Sequence, residues 1–185
     1  MSETRDKLAA YLSSYDAGQD ASSVAQGEQE RQKIRALFPL DSWPTLQLTD
    51  YAAGQEDSEN SYCRWVEFKS PHLGSIRGGS AKKLIIYKRV EGEGWYFDEN
   101  AFGSVEKAWE SLRSDFVSAF ESAGTGDWSD IDDLSTLRPG QSLLVKSLHI
   151  YFPDQLLPIT SREHLRHFLE LVDDPLAGDS SLTAV

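Results

Sequence analysis

The clearest pattern along the chain is a helical repeat of apolar positions that begins after Ser104. Apolar residues recur there at steps of three and four, namely Val105, Ala108, Trp109, Leu112, Phe116 and Phe120. This spacing places them on one face of an α-helix, and Ser104 is a preferred N-cap residue. The sequence therefore predicts a long amphipathic helix that ends near Gly124, because glycine commonly terminates helices.

Weaker helical patterns lie near both ends. Residues 3–15 carry Leu8, Tyr11, Leu12 and Tyr15 at helical spacing. Residues 28–38 also suit a helix, with 17–27 as a flexible joint before it. Thr160 and Glu163 fit a capping box, which predicts a final helix that ends before Pro175. Its buried positions are Leu165, Phe168, Leu169 and Val172. Pro39 and Pro44 predict extended, packed chain over 38–52.

Elsewhere the pattern is typical of β-strands. Residues 61–68 alternate with a period of two, and residues 83–90 are rich in β-branched and aromatic side chains. A third strand is predicted at 94–99, after a turn that contains Gly92. The nearly continuous apolar run 143–152 predicts a central strand.

These elements predict a single α+β domain, with a mostly antiparallel central sheet and helices packed on one face. The predicted organisation is an N-terminal helical segment at 1–37, an α+β recognition domain at 38–172 and a linker-like tail at 173–185. With 185 residues, the chain is long enough for one sizeable core.

Charge is distributed unevenly along this chain. The net charge is −12, which argues against a protein whose whole surface grips nucleic acid. Residues 64–89, however, contain seven lysines and arginines and a single acid, Glu67, so this basic strip carries about +6 by formal count and the rest about −18. Such a strip suits a one-faced contact with a polyanion, although charged strand faces also arise simply to stay solvated.

The compartment expected from the sequence is the cytoplasm. Cys63 is the single cysteine, so no internal disulfide forms. There is no run of about 18 apolar residues. Glu3 and Asp6 stand where a signal peptide would need a basic and then an apolar region.

The segment 71–83 (PHLGSIRGGSAKK) has the most unusual composition, with three glycines and four basic residues. It matches neither the phosphate-binding loop of nucleotide hydrolases nor the dinucleotide-binding fingerprint. Glycines allow close backbone approach to a ligand, so we expect Gly78, Gly79 and Ser80 to approach one. The cations Arg77, Lys82 and Lys83 are the expected phosphate contacts. The alternative is a glycine-rich turn between two strands.

Aromatic residues flank this segment. Trp65 and Trp95 are the candidates for stacking on a base, with ordinary core packing as the alternative for either ring.

The sequence offers no motif for catalysis or metal binding. No G-x-S-x-G motif accompanies the serines and histidines that a catalytic triad would use. His164 and His167 lack the further ligands of a metal site. The carboxylates of 127–133 lack the glycine and glutamate of a calcium loop and are expected to cap and solvate a turn. We therefore predict no enzyme activity and no cofactor.

The runs YCRWVEFKSPHLGSIRGGSAKKLIIYKR, GWYFDENAFGSVEKAWESLRSDF and LLVKSLHIYFPDQLLPITSREHLRHFL resemble the N-terminal module of McrB-type subunits of modification-dependent restriction systems. The similarity covers about 38–172, and W-x-E-F followed by L-G-S-I-x-G-G-S is its most specific part. In that family the module selects DNA, commonly through a modified base, ahead of an AAA+ GTPase motor and a partner nuclease. This chain has no Walker A lysine, so GTP hydrolysis is not implied.

Two functions therefore stand as hypotheses. The first, favoured by the resemblance and the basic strip, is a non-catalytic DNA-recognition module in antiviral defence. The alternative, favoured by the net charge of −12, is an acidic protein-interaction or sensor module of a defence complex that docks a basic partner.

Overall fold

The computed structural model describes residues 3–54, 58–89 and 94–178, and these residues are mostly helical. The α-helices in these ranges are α1 (Glu3–Ser14), α2 (Ala21–Leu37), α3 (Leu48–Tyr51), α4 (Tyr62–Phe68), α5 (Glu99–Phe102), α6 (Val105–Thr125), α7 (Gln141–Tyr151) and α8 (Arg162–Leu171). The strands are β1 (Tyr87–Lys88) and β2 (Trp95–Tyr96), which pair antiparallel with Tyr87 opposite Tyr96. No helix among these residues combines the length and apolar character needed to cross a membrane.

The predicted α+β fold with a central sheet is wrong, because the sheet of the described residues is only this two-stranded ribbon. The predicted strand at 61–68 is helix α4, whose N-cap Ser61 accepts a hydrogen bond from the backbone of Arg64. Its buried residues are Tyr62, Cys63 and Val66. The polar residues Ser61, Arg64 and Glu67 recur every three positions, which is a helical spacing, so the predicted period of two misread this stretch.

The predicted central strand at 143–152 is also wrong, because these residues belong mainly to α7. Every residue from Leu143 to Leu148 is buried, so the helix is enclosed on all sides. A helix with apolar residues all round is characteristic of a protein interior, and it has the same continuous apolar sequence as a buried strand. The length of the run, ten residues, was the signal that favoured a helix.

The predicted hairpin is present in reduced form. Instead of a strand from residue 83, the chain forms a 3-10 turn at Ala81–Leu84 and then a γ-turn centred on Ile85, which has φ 66° and ψ −50°. The backbone N–H of Ile86 donates to the carbonyl of Leu84 at 2.7 Å across this turn. Only Tyr87 and Lys88 then pair with β2, while Val90 and the turn with Gly92 lie outside the described residues.

The long amphipathic helix is confirmed as α6, with Ser104 as its N-cap and left-handed Gly126 as its C-cap. Its buried face meets an aromatic cluster around Trp43. The Trp43 ring lies 4.8 Å from the Phe116 ring, centroid to centroid, and its Nε1 donates to the hydroxyl of Tyr151. Trp43 lies in a 3-10 turn at Leu40–Thr45, so the predicted extended chain at 38–52 is wrong although it packs as expected.

The terminal helices are present, but their boundaries differ from prediction, and the predicted burial in the last helix is wrong because Phe168 is 53% exposed and Leu165, Leu169 and Val172 are only half-buried. The helix predicted at 3–15 is α1. The predicted joint at 17–27 is wrong, because α2 already begins at Ala21. The last helix is capped by Ser161 rather than Thr160, since the Ser161 hydroxyl accepts from the backbone of His164. Of the predicted tail, residues 179–185 lie outside the described residues.

Candidate functional site

The glycine-rich segment connects α4 to β1 and is anchored at its start. Leu73 and Ile76 are buried in the core. Gly74 has φ +86°, and a Cβ there would lie 3.2 Å from Pro158. From Arg77 to Lys82 every residue is exposed. The segment is therefore a surface loop on a fixed base.

Gly78 and Gly79, which we predicted to approach a ligand, form the open tip of this loop. Both have positive φ, +88° and +66°, and a Cβ on either would meet nothing within 4 Å. The Ser80 hydroxyl accepts from the backbone of Lys82 and caps the 3-10 turn that follows. The two glycines thus leave free space beside the backbone, as a close-approaching ligand requires.

Arg77 is directed back onto α4. Its guanidinium donates to the carbonyls of Glu67 and Phe68, and its guanidinium carbon lies 5.6 Å from the Phe68 ring centroid. A cation on the last carbonyls of a helix is favourable, because those groups have no intrahelical partner and carry partial negative charge. In this arrangement Arg77 ties the loop to the end of α4.

Lys83 is held inside the molecule. Its Nζ lies 2.6 Å from Glu67 Oε1 and donates to the Gly78 carbonyl at 2.7 Å. The side chains of Lys83 and Glu67 are only 13% and 10% exposed. The Lys83 ammonium therefore connects the Glu67 carboxylate on α4 with the Gly78 carbonyl at the loop tip.

Lys82 is exposed like Arg77, but its side chain is not held against α4. Its Nζ lies 5.8 Å from the centroid of Tyr96, and no carboxylate of the described residues forms an ion pair with it. The other cations of the strip are held in part: Arg64 and Lys69 both pair with Glu59, and Lys88 lies over the Trp95 ring at 5.4 Å. The basic strip is therefore less available than its formal charge implies.

Both predicted tryptophans are partly buried against the core. The Trp65 ring lies beneath the Lys69 ammonium at 5.1 Å, and its buried Nε1 finds no hydrogen-bond partner in the described part of the chain. Trp95 lies on β2, next to Tyr96. Because successive side chains of a strand point to opposite faces, Trp95, which lies under Lys88, is on the other face of β2 from Tyr96, the ring nearest Lys82.

The residue next to Trp95 forms a site that the sequence did not reveal. Tyr96, stacked on Tyr87 at 4.6 Å, is one wall of a surface hollow of about 480 Å³. We call it the Tyr96 hollow, and its lining is Lys82, Ile85, Tyr96, Asp98, Ala101, Phe102, Ser135, Thr136 and Pro139. Three distant stretches meet here, so no local motif signals it.

Asp98 brings a carboxylate to this hollow. Its Oδ1 accepts from the backbone N–H groups of Asn100 and Ala101, which caps the short helix α5. An aspartate immediately before a helix is a recognisable signal for an N-cap, but that signal does not indicate the hollow. The hollow thus combines two aromatic rings, an ammonium and a carboxylate.

A buried cation lies beneath the loop. Lys146, on α7, is 1% exposed and donates to the Ser70 carbonyl at 2.8 Å. Burial lowers the pKa of Lys146 to about 8, opposed by the carboxylates of Glu30 and Glu67 and assisted by Arg77. A lone lysine within the apolar run LLVKSLHI was the available sequence signal, since lysine is rarely fully buried.

Other titratable groups in the core are kept neutral. Burial raises the pKa of the Cys63 thiol to about 12 and of the Tyr51 hydroxyl well above 10. A thiol that remains protonated and enclosed is a poor nucleophile.

Comparison of the chain with protein families, with curated proteins and with solved structures finds no match.

Proposed function

We propose that this chain is a non-catalytic DNA-recognition module that acts in the cytoplasm as part of an McrB-like restriction system. The observation that carries the proposal is the Tyr96 hollow, an aromatic-walled cavity lined by the exposed Lys82, which follows the open Gly78–Gly79 tip in the sequence. Proteins that inspect a single base extrude it from the duplex, stack it on aromatic rings and read its edge by hydrogen bonds.

The hollow supplies the groups that this mode of binding needs. Tyr96 is backed by Tyr87, so its ring is held in place for stacking. Phe102 provides a second apolar surface. The Asp98 carboxylate is an acceptor for an amino group on the edge of a base. An unmodified or modified base with an exocyclic amino group fits these three partners.

Phosphate contact falls mainly to Lys82 in this arrangement. Arg77 and Lys83, which share its neighbourhood, instead fix the loop to α4 through the Glu67 carbonyl and carboxylate. A preorganised loop loses little conformational entropy when a ligand binds. The two residues therefore support the tip that approaches the sugar-phosphate chain, with the exposed Arg89 continuing the positive surface beyond β1.

The negative charge of the remaining chain orients this contact. Outside residues 64–89 the formal charge is about −18, which repels phosphate from the other faces. Consistent with the resemblance to McrB-type modules, the selected DNA would pass to an AAA+ motor and a nuclease subunit.

The test is DNA binding measured by fluorescence anisotropy. The probes are labelled duplexes of one sequence, either unmodified or carrying 5-methylcytosine, 5-hydroxymethylcytosine or N6-methyladenine at one position. Lys82→Ala should weaken binding to every duplex and reduce the slope of log affinity against log salt by about 1. Tyr96→Ala should lose affinity for the preferred duplex most.

The matched control is Lys107→Ala, which removes one exposed lysine on α6 that does not line the hollow. It should leave both affinity and salt slope unchanged. Equal losses for Lys82→Ala and Lys107→Ala would show that only overall charge matters. Absence of binding to all four duplexes at low salt would refute the proposal.

A further inference from the structure

Residues 131–144, part of which borders the Tyr96 hollow, also line a second surface depression. It has a volume of about 390 Å³, and we call it the Leu134 groove. Its lining residues are Ile131, Asp132, Leu134, Leu137, Arg138, Gln141 and Leu144. Four of these seven side chains are aliphatic, and no aromatic ring is present. The groove is therefore suited to an aliphatic side chain from outside.

A strongly acidic depression of about 610 Å³ adjoins the groove and shares Leu134 with it. Its acidic lining residues are Glu121, Asp127, Asp130 and Asp133. Hydrogen bonds from Ser129 lower the pKa of Asp127, so that carboxylate is ionised at neutral pH. No lysine or arginine of the described residues lines this depression.

Among the described residues that line the Leu134 groove, Arg138 is the one cation, and it has a hydrogen-bond partner in the chain. Arg138 donates to the Asp132 carbonyl at 2.8 Å, which holds its guanidinium against the 131–133 turn. The Asp132 carboxylate adds a further exposed anion next to the groove. The combined surface therefore presents an aliphatic groove with a group of carboxylates beside it, next to Leu134.

We propose that the Leu134 groove is a docking surface for a partner protein, which inserts an aliphatic side chain flanked by lysines or arginines. Such a segment satisfies both halves of the surface, since the apolar side chain leaves water and its cations meet the carboxylates. DNA is disfavoured in the acidic depression because its phosphates would meet carboxylates there. A second copy is disfavoured because each chain carries −12.

Two short synthetic helical peptides test this chemistry, one built from leucine and lysine and the other from leucine and glutamate. A third peptide of alanine and lysine has the same positive charge without the aliphatic anchor. Binding to the intact chain is followed by fluorescence anisotropy. The leucine-lysine peptide should bind, and the other two should bind at least about tenfold more weakly, because each lacks one half of the match.

Variants locate the binding. Asp130→Asn with Asp133→Asn should weaken the leucine-lysine peptide about tenfold, and Leu134→Ala should weaken it severalfold. Glu106→Gln with Glu110→Gln is the matched control, because it removes two exposed carboxylates from α6 outside both depressions. Circular dichroism confirms that each variant folds.

Equal weakening by the two double variants would overturn the proposal, since binding would then report net charge alone. Equal binding of the alanine-lysine peptide would overturn it by removing the role of the groove. Analytical ultracentrifugation provides a separate check: a dimer that Leu134→Ala dissociates would assign the groove to a second copy and refute a basic partner.

Discussion

Replacing Lys146 with methionine tests the charge that the core encloses. In the folded chain the pKa of Lys146 is about 8, mainly because burial disfavours the ammonium, whereas a free lysine titrates near 10.5. At a pH where Lys146 is protonated in both the folded and the unfolded chain, this pKa difference means that the buried charge lowers the free energy of unfolding by about 3 kcal/mol. Methionine has a similar length and no charge, so it removes this penalty.

The variant also removes a hydrogen bond. The Ser70 carbonyl, which accepts from Lys146 Nζ at 2.8 Å, loses this donor. Leaving a buried acceptor unsatisfied costs about 1–3 kcal/mol. At neutral pH we therefore expect Lys146→Met to change the free energy of unfolding by little, between no effect and a gain of about 2 kcal/mol.

The pH dependence is more diagnostic. Between pH 8 and pH 10.5 the unfolded lysine holds a proton that the folded lysine has released, so the stability of the wild type rises with pH. Lys146→Met lacks this rise. From about pH 7 to about pH 9.5, the wild type should gain about 2 kcal/mol relative to the variant.

Urea unfolding followed by tryptophan fluorescence measures this difference at several pH values. The buried tyrosines, such as Tyr51, whose pKa is raised by burial, lower the stability of both proteins at high pH and cancel in the comparison. Parallel stability curves for the two proteins would refute the assignment of a lowered pKa to Lys146. A relative gain in the opposite direction would show that its charged form is favoured in the core.

Three further predictions concern the loop and its support. Glu67→Gln removes the carboxylate that lies 2.6 Å from the Lys83 ammonium, and it should destabilise the chain by about 3 kcal/mol in urea unfolding. The double variant that also carries Lys83→Met should recover much of that loss, because no unpaired charge is then left. Gly140→Ala places a Cβ 2.7 Å from the Lys83 carbonyl oxygen and should lower stability by about 1–3 kcal/mol, while Gly178→Ala, with open space at its Cβ, should be nearly neutral in thermal unfolding. Cys63, buried and with a pKa of about 12, should resist an aromatic disulfide reagent at about pH 8 until denaturant unfolds the chain, and rapid reaction without denaturant would contradict its enclosure.

A one-sided apolar pattern together with a clear cap led to the most accurate prediction. Helix α6 has both, since Ser104 precedes a single apolar face and glycine follows it. Helix α7 has no polar face to mark its period, because its neighbours enclose it, so its sequence favoured a strand equally. Helix α4 was mistaken for a strand because its seven residues make only two turns, too few for the three-residue spacing of Arg64 and Glu67 to stand out as a helical repeat.

The candidate site was predicted only as far as local chemistry allows. The open backbone at Gly78 and Gly79 agrees with the composition of the loop. The ion pair between Lys83 and Glu67 joins residues sixteen positions apart. It depends on how α4 packs against the loop, and the composition of the loop does not indicate that packing. The Tyr96 hollow likewise requires residues 82, 96–102 and 135–139 to meet.

The enclosure of α7 also has a consequence for hydrogen exchange, because backbone amides in α7 should exchange with deuterium more slowly than amides in exposed helices. The backbone N–H groups of Leu143–Leu148 lie in the centre of the core, so they exchange only when the surrounding helices separate together. Nearly every side chain of α1 with described burial is exposed, and opening that helix breaks few apolar contacts. Mass spectrometry should therefore find α1 deuterated long before α7, which makes α7 a reporter of global unfolding.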